Sequence, residues 1–123
     1  MSKRVLVVED NDLNRKLFCD ILKANGFAVE PVADGGNVLG AARSFNPDLI
    51  IMDIQLPRVS GLDLIVALKK DGSLRDVPIL AVTAYAGKGD EERIRDAGAA
   101  EYLSKPVSIR PFIASVERLF AAA

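Results

Sequence analysis

Four apolar runs in this chain each lead into a residue that carries chemistry, and that repetition constrains the fold more than any other feature. Val5 to Val8 is followed by the acidic pair Glu9-Asp10. Leu49-Ile50-Ile51-Met52 ends at Asp53. Ile79 to Val82 ends at Thr83, and Tyr102-Leu103 leads into Lys105. Short unbroken apolar runs suit strands buried on both faces, as in a parallel sheet. Parallel sheets hold their ligands at the carboxyl ends of the strands. Asp53 is therefore the predicted centre of a polar site, with the other strand ends around it.

Amphipathic stretches separate these runs. Strands are predicted over Arg4–Val8, Ala28–Val32, Leu49–Asp53, Ile79–Thr83 and 101–103. Helices are predicted over 12–25, 35–45, 61–70, 87–97 and 110–120. The first carries Leu13, Leu17, Ile21 and Leu22 on one face, and the last carries Phe112, Ile113, Val116, Leu119 and Phe120. Both patterns follow the 3.6-residue period. Asn11 or Asp12 can cap the first helix, and Asn25-Gly26 can end it. Asn46-Pro47 closes the second. Strands alternating with helices predict an α/β fold, a doubly wound five-stranded parallel sheet covered on both faces. Right-handed crossovers leave few arrangements.

Composition narrows the chemistry. The 123 residues suit one domain spanning 1–123, and half of them are hydrophobic. A net charge of −1 argues against a nucleic-acid partner. The absence of histidine excludes a histidine base, metal ligand or phosphocarrier, and one cysteine, Cys19, excludes a zinc thiolate cluster. Cys19 reads as a partly buried thiol. There is no signal-peptide pattern and no apolar run near the roughly 20 residues that cross a bilayer. The expected location is cytoplasmic, with no membrane insertion. Gly35-Gly36 lacks the GxGxxG spacing and reads as a flexible turn.

With the first and third strands adjacent, Glu9, Asp10 and Asp53 converge. Three close carboxylates repel and raise one another's pKa. Magnesium suits such a cluster, because it takes oxygen ligands and is commonly held by one or two carboxylates plus a phosphate; manganese is the alternative ion. Lys105 supplies a second positive charge and Thr83 a hydrogen bond. These parts resemble equipment for holding a phosphoryl group on a carboxylate, since phosphoryl transfer is mostly positioning and charge neutralisation. Asp53 is the predicted nucleophile, and its product is a labile acyl phosphate. Without histidine, the donor must come from another molecule. Taken singly, Thr83 also reads as a plain β-branched strand residue, Lys105 as a surface lysine and Tyr102 as core.

Val8-Glu9-Asp10-Asn11, Met52-Asp53-Ile54-Gln55-Leu56-Pro57, Ser60-Gly61, Val82-Thr83-Ala84 and Ser104-Lys105-Pro106 occur in the order seen in the receiver domains of bacterial two-component response regulators. The chain resembles that family over essentially its whole length. The resemblance implies the flavodoxin-like strand order 2-1-3-4-5. It implies that Asp53 accepts a phosphoryl group from a sensor histidine kinase or histidine phosphotransfer protein. It implies magnesium held by Asp10, Asp53 and the main-chain carbonyl of Gln55, with Glu9 acting through water. It also implies a cis bond before Pro106, and a Tyr102 ring that swings inward when Thr83 shifts. Leu13-Asn14, Met52 to Pro57, and Lys88 to Arg95 look like the DivK-type single-domain regulators of cell division.

The implied function is a phosphorylation-controlled binding module with no output domain, expected as a monomer and not a metabolic enzyme. By the same analogy Gln55 and Tyr85, each two residues beyond a site residue, tune the acyl phosphate's lifetime. The fourth helix has Ile94 as its only large apolar anchor in 90–97, so residues 84–97 are the predicted switch, transmitted through Thr83 and Tyr102. A haloacid-dehalogenase-type phosphatase would want an acid where Gln55 stands. A flavodoxin-type carrier would want serine and threonine where Glu9-Asp10-Asn11 stands. A docking protein that works unphosphorylated on the same fold stays open.

Overall fold

The computed structural model describes residues 3–84 and 87–121. Its strands are β1 (Arg4–Val8), β2 (Ala28–Val32), β3 (Leu49–Asp53), β4 (Ile79–Thr83) and β5 (Glu101–Ser104). Its helices are α1 (Asp12–Ala24), α2 (Val38–Phe45), α3 (Gly61–Lys70), α4 (Lys88–Ala97) and α5 (Ile109–Ala121), with a 3-10 turn over Gly35–Asn37 before α2. All neighbouring strands run parallel, in the order β2-β1-β3-β4-β5. The predicted fold and strand order are those observed.

The unbroken apolar runs are explained by the two cores. Leu6, Val8, Ile50, Met52, Ile79 and Ala81 face one side, where Val38 and Ala42 of α2, Leu64, Ile65 and Leu68 of α3, and Ile94 of α4 close over them. Val5, Val7, Leu49, Ile51, Leu80 and Val82 face the other, under Phe18, Cys19 and Leu22 of α1 and Phe112, Val116 and Leu119 of α5. Alternate residues enter opposite cores because strand side chains alternate between faces. Phe18 and Phe112 stack at 4.9 Å between centroids and tie α1 to α5. Pro31, which cannot donate to a ladder, sits in the edge strand β2.

The local stops follow the sequence. Asn11 caps α1 through a bond from the Asn14 N–H to its side chain, and Ser60 caps α3 through the Leu62 N–H. Asn46 ends α2 in the left-handed region, with φ of 55°. The 35–45 stretch divides because Asp34 accepts the Gly36 N–H and winds a tighter turn first.

One face was misread. Leu22 is buried and Ile21 packs against the core as expected, but Leu13 and Leu17 are 80% and 41% exposed, and Phe18 and Cys19 are buried in their place. The apolar arc of α1 is wider than its contact with the sheet, so the period alone admits two rotations. Arg15 selects one of them. Its side chain turns inward and donates to the carbonyls of Glu9 at 3.0 Å and Asp10 at 3.2 Å. Leu22→Ala should therefore cost about 2–5 kcal/mol, whereas Leu13→Ala should change stability by no more than about 0.5 kcal/mol. Urea unfolding of the two variants checks this, and equal losses would contradict the observed face.

Candidate functional site

The register of the sheet assembles the site. Val8 pairs with Met52, so the next residues, Glu9 and Asp53, leave adjacent strands side by side. Asp53 pairs with Val82, which sets Thr83 one step further along β4. Thr83 pairs with Ser104, and its carbonyl accepts the Lys105 N–H at 2.7 Å. All the predicted strand-end groups thus reach one edge. The Lys105–Pro106 peptide is cis, in line with the resemblance.

Glu9 and Asp53 are almost fully buried, at 0% and 1% exposure, while Asp10 is exposed. One carboxylate oxygen from each of Glu9, Asp10 and Asp53 lies within 4.8 Å of the others. The Lys105 ammonium sits 3.1 Å from Glu9 Oε1 and 3.3 Å from Asp53 Oδ2. The remaining oxygens are held by main chain: Asn11 N–H donates to Glu9 Oε2 at 3.2 Å, and Gln55 N–H to Asp53 Oδ1 at 3.0 Å. Glu9 Oε1 and Asp53 Oδ2 have the ammonium as a charge partner but accept no well-directed hydrogen bond from the described residues.

This arrangement is short of positive charge. Burial first, and then the hydrogen bond and negative charge of Glu9, push the Asp53 carboxyl up to about 8, against the pull of Lys105 and the Gln55 N–H. Burial opposes the charge on Lys105, but Asp53 and Glu9 outweigh it and raise that pKa. One ammonium cannot neutralise three carboxylates. Two buried oxygens without directed donors, beside a third exposed carboxylate, fit a hard divalent cation such as magnesium.

Thr83 is buried and hydrogen-bonded to a neighbour the sequence did not suggest. Gln55 Nε2 donates to Thr83 Oγ1 at 2.9 Å, and Gln55 Oε1 accepts the Ala84 N–H at 2.7 Å. Tyr102 is half-buried against the core that contains Ile94, and the Arg95 guanidinium lies 5.7 Å from its ring centroid. Tyr85 lies outside the described residues.

Two supporting residues escaped the sequence reading. Arg15 bonds the carbonyls of Glu9 and Asp10 and pairs with Asp12, so it fixes the loop that carries both acids. Its signal was a cation near the start of a helix, where the dipole disfavours positive charge. Gly61 appeared only as part of a motif. A Cβ there would lie 2.3 Å from the Asp53 carbonyl oxygen and 2.6 Å from Ile54 Cα. The start of α3 therefore presses directly on the backbone of the central carboxylate.

Comparison with known proteins gives this geometry a context. The family model of the response regulator receiver domain matches residues 5–117. The chain is 51% identical over 117 residues to the polar-differentiation response regulator DivK of Brucella ovis, covering 95% of each protein. Among solved structures it is similar to the chemotaxis protein CheY4 of Vibrio cholerae, with a TM-score of 0.92, 26% identity, and coverage of 97% of this chain and 99% of that one. It is also similar to the receiver domain of a sensor histidine kinase from Pseudomonas aeruginosa, which has a magnesium ion coordinated in its active-site cleft. There the TM-score is 0.89 and the identity 32%, over 98% of this chain and 99% of that one.

The raised pKa of Asp53 has a consequence for stability. An unfolded aspartate titrates near about 4. Between there and about 8 the folded chain holds the extra proton. The contribution of this group is present in full below about 4 and is lost as pH rises through about 8. Asp53→Asn should remove that slope and make the metal-free protein more stable at pH 8 by about 1–3 kcal/mol. Denaturation in chelator across that range checks it, and a destabilised Asn variant would contradict it. Gly61→Ala should cost about 1–3 kcal/mol through overpacking. Unfolding of that variant measures the loss.

Proposed function

The chain belongs to the response regulator receiver domain family, and from that premise we propose that it is a single-domain module switched by phosphorylation of Asp53. It is a DivK-like regulator, a signalling protein and not a metabolic enzyme. The observation that carries the finer reading is the buried pair Glu9–Asp53, joined by Asp10 and bridged by Lys105 at the ends of three strands.

In this reading a phosphohistidine on a sensor kinase or phosphotransfer protein supplies the group. A carboxylate oxygen of Asp53 attacks phosphorus, a P–O bond forms as the P–N bond breaks, and its electron pair returns to the imidazole nitrogen. Asp53 must be ionised to attack, and Lys105 favours that form. Lys105 then offsets charge on the phosphoryl oxygens, and Thr83 donates to one of them. Asp10, Asp53 and the main-chain carbonyl of Gln55 would hold magnesium, with Glu9 contributing through water. When bound, the ion neutralises negative charge on the transferring group. Water attack on phosphorus later breaks the P–O bond to Asp53, which restores the carboxylate and releases inorganic phosphate.

Phosphorylation adds about −1.5 to −2 charges. That charge must bias an element with two arrangements. Helix α4 is the element proposed. Ile94 is its one large buried apolar side chain among the described residues, and such burial contributes only about 1.5–3 kcal/mol. The output is contact with other proteins in cell-division or cell-cycle control, in the cytoplasm and as a monomer. No helix among the described residues is long and apolar enough to cross a membrane.

Incubation with a small acyl phosphate and magnesium should add the mass of one phosphoryl group to the intact chain. The addition should vanish in Asp53→Asn and in chelator; an unmodified wild-type chain, or equal labelling of the variant, would contradict the assignment. Amide exchange with and without a phosphoryl mimic should change most across residues 87–97. Unchanged protection there would remove α4 from the switch.

A further inference from the structure

One side chain occupies two hydrogen-bonding groups at the end of β4. The Gln55 carboxamide donates from Nε2 to Thr83 Oγ1 at 2.9 Å and accepts the Ala84 N–H on Oε1 at 2.7 Å. The main-chain N–H of the same residue donates to Asp53 Oδ1 at 3.0 Å. Gln55 therefore bridges the central carboxylate and the strand end beyond it. The Thr83 hydroxyl and the Ala84 amide are groups that a phosphoryl group on Asp53 could use; in this structure the glutamine takes up the Ala84 N–H as acceptor and holds the Thr83 oxygen in place as donor.

We propose that Gln55 is a positioning residue whose carboxamide latches the end of β4 in the resting arrangement and must be displaced when the phosphoryl group arrives. The proposal rests on the reading of Asp53 as the phosphoacceptor. It is distinct from the role of the Gln55 main-chain carbonyl towards a metal, because only the side chain forms the latch.

The displaced carboxamide has a place to go. A cavity of about 30 Å³ lies beside it, walled in part by Thr83, Ile94, Asp90 and Arg93. Arg93 and Asp90 are only loosely paired there, at 3.9 Å. Arg93 is largely exposed there, so the released carboxamide can settle beside α4 without gaining partners that water would not also offer. The latch would thereby link Asp53 to the helix with the fewest apolar anchors.

Each such hydrogen bond is worth roughly two- to tenfold in an equilibrium. Ala84 is exposed, so water replaces part of what is lost. Removing the latch should thus favour the phosphoryl-bound arrangement by about tenfold in all.

The probe is beryllium trifluoride, a phosphoryl mimic, titrated with magnesium into the wild type, Gln55→Met and Gln55→Asn. Methionine keeps the length without the polar groups, and asparagine keeps the amide but is one methylene too short to reach. Both variants should bind the mimic about tenfold more tightly than wild type at saturating magnesium. In the free variants the Ala84 amide proton should shift upfield, as expected on loss of its acceptor. Failure of the wild type to bind the mimic would overturn the phosphoacceptor reading and the latch with it. Wild-type binding, with equal or weaker binding by the folded variants, would overturn the latch alone.

Discussion

Two carboxylates buried side by side are the constraint on which this structure depends. Glu9 and Asp53 end adjacent parallel strands, and register allows them no separation. Taking charges out of water is costly unless they are paired. Lys105 supplies part of the compensation from β5's far end, two strands away from β3. The rest is missing among the described residues, and the proton drawn to Asp53 is the sign of it. A protein can hold such a deficit only where the surrounding frame cannot relax. Here the frame is a sheet packed on both faces, with Arg15 fixing one loop and Gly61 pressing under the other.

The two faces of the sheet are built differently. On one, α1 and α5 are joined by the stacked rings of Phe18 and Phe112, and α5 is tied to β5 by Arg118 and Glu101 at 2.6 Å. On the other, α4 is anchored through Ile94 and ends at Gly98, whose φ is 126°. In the proposed switch, a charge added at Asp53 meets one face held by stacked rings and an ion pair and another where α4 has a single large buried anchor among the described residues. Gln55 and Thr83 lie between the carboxylate and α4, where the proposed switch would pass.

Much of this could be read from the chain. The limits of β1, β3 and β4 were legible because strands buried on both sides have no polar interruption, and because Asp53 and Thr83 mark where burial gives way to chemistry. Convergence of Glu9, Asp10, Thr83 and Lys105 on Asp53 followed from a parallel sheet once the first and third strands were taken as neighbours, an order the family resemblance implied. The rotation of α1 was not legible. Leu13 and Leu17 keep the helical period as well as Phe18 and Leu22 do, and the deciding contact is a guanidinium reaching back to two carbonyls. The Gln55 bridge was hidden for a similar reason: its partners, Thr83 and Ala84, are 28 and 29 positions away, and no periodicity encodes a side-chain amide's choice.

The central claim is that the acidic pocket is incomplete without a divalent cation, and linkage between binding and folding tests it directly. A ligand bound only by the folded state stabilises it by about 2.7 kcal/mol at a concentration one hundred times its dissociation constant. Unfolding free energies of the wild type and of Asp10→Asn, each with and without saturating magnesium at neutral pH, give the answer. The account predicts a gain of that order for the wild type and loss of most of it in the variant. No gain in the wild type, or the same gain in both, would contradict it.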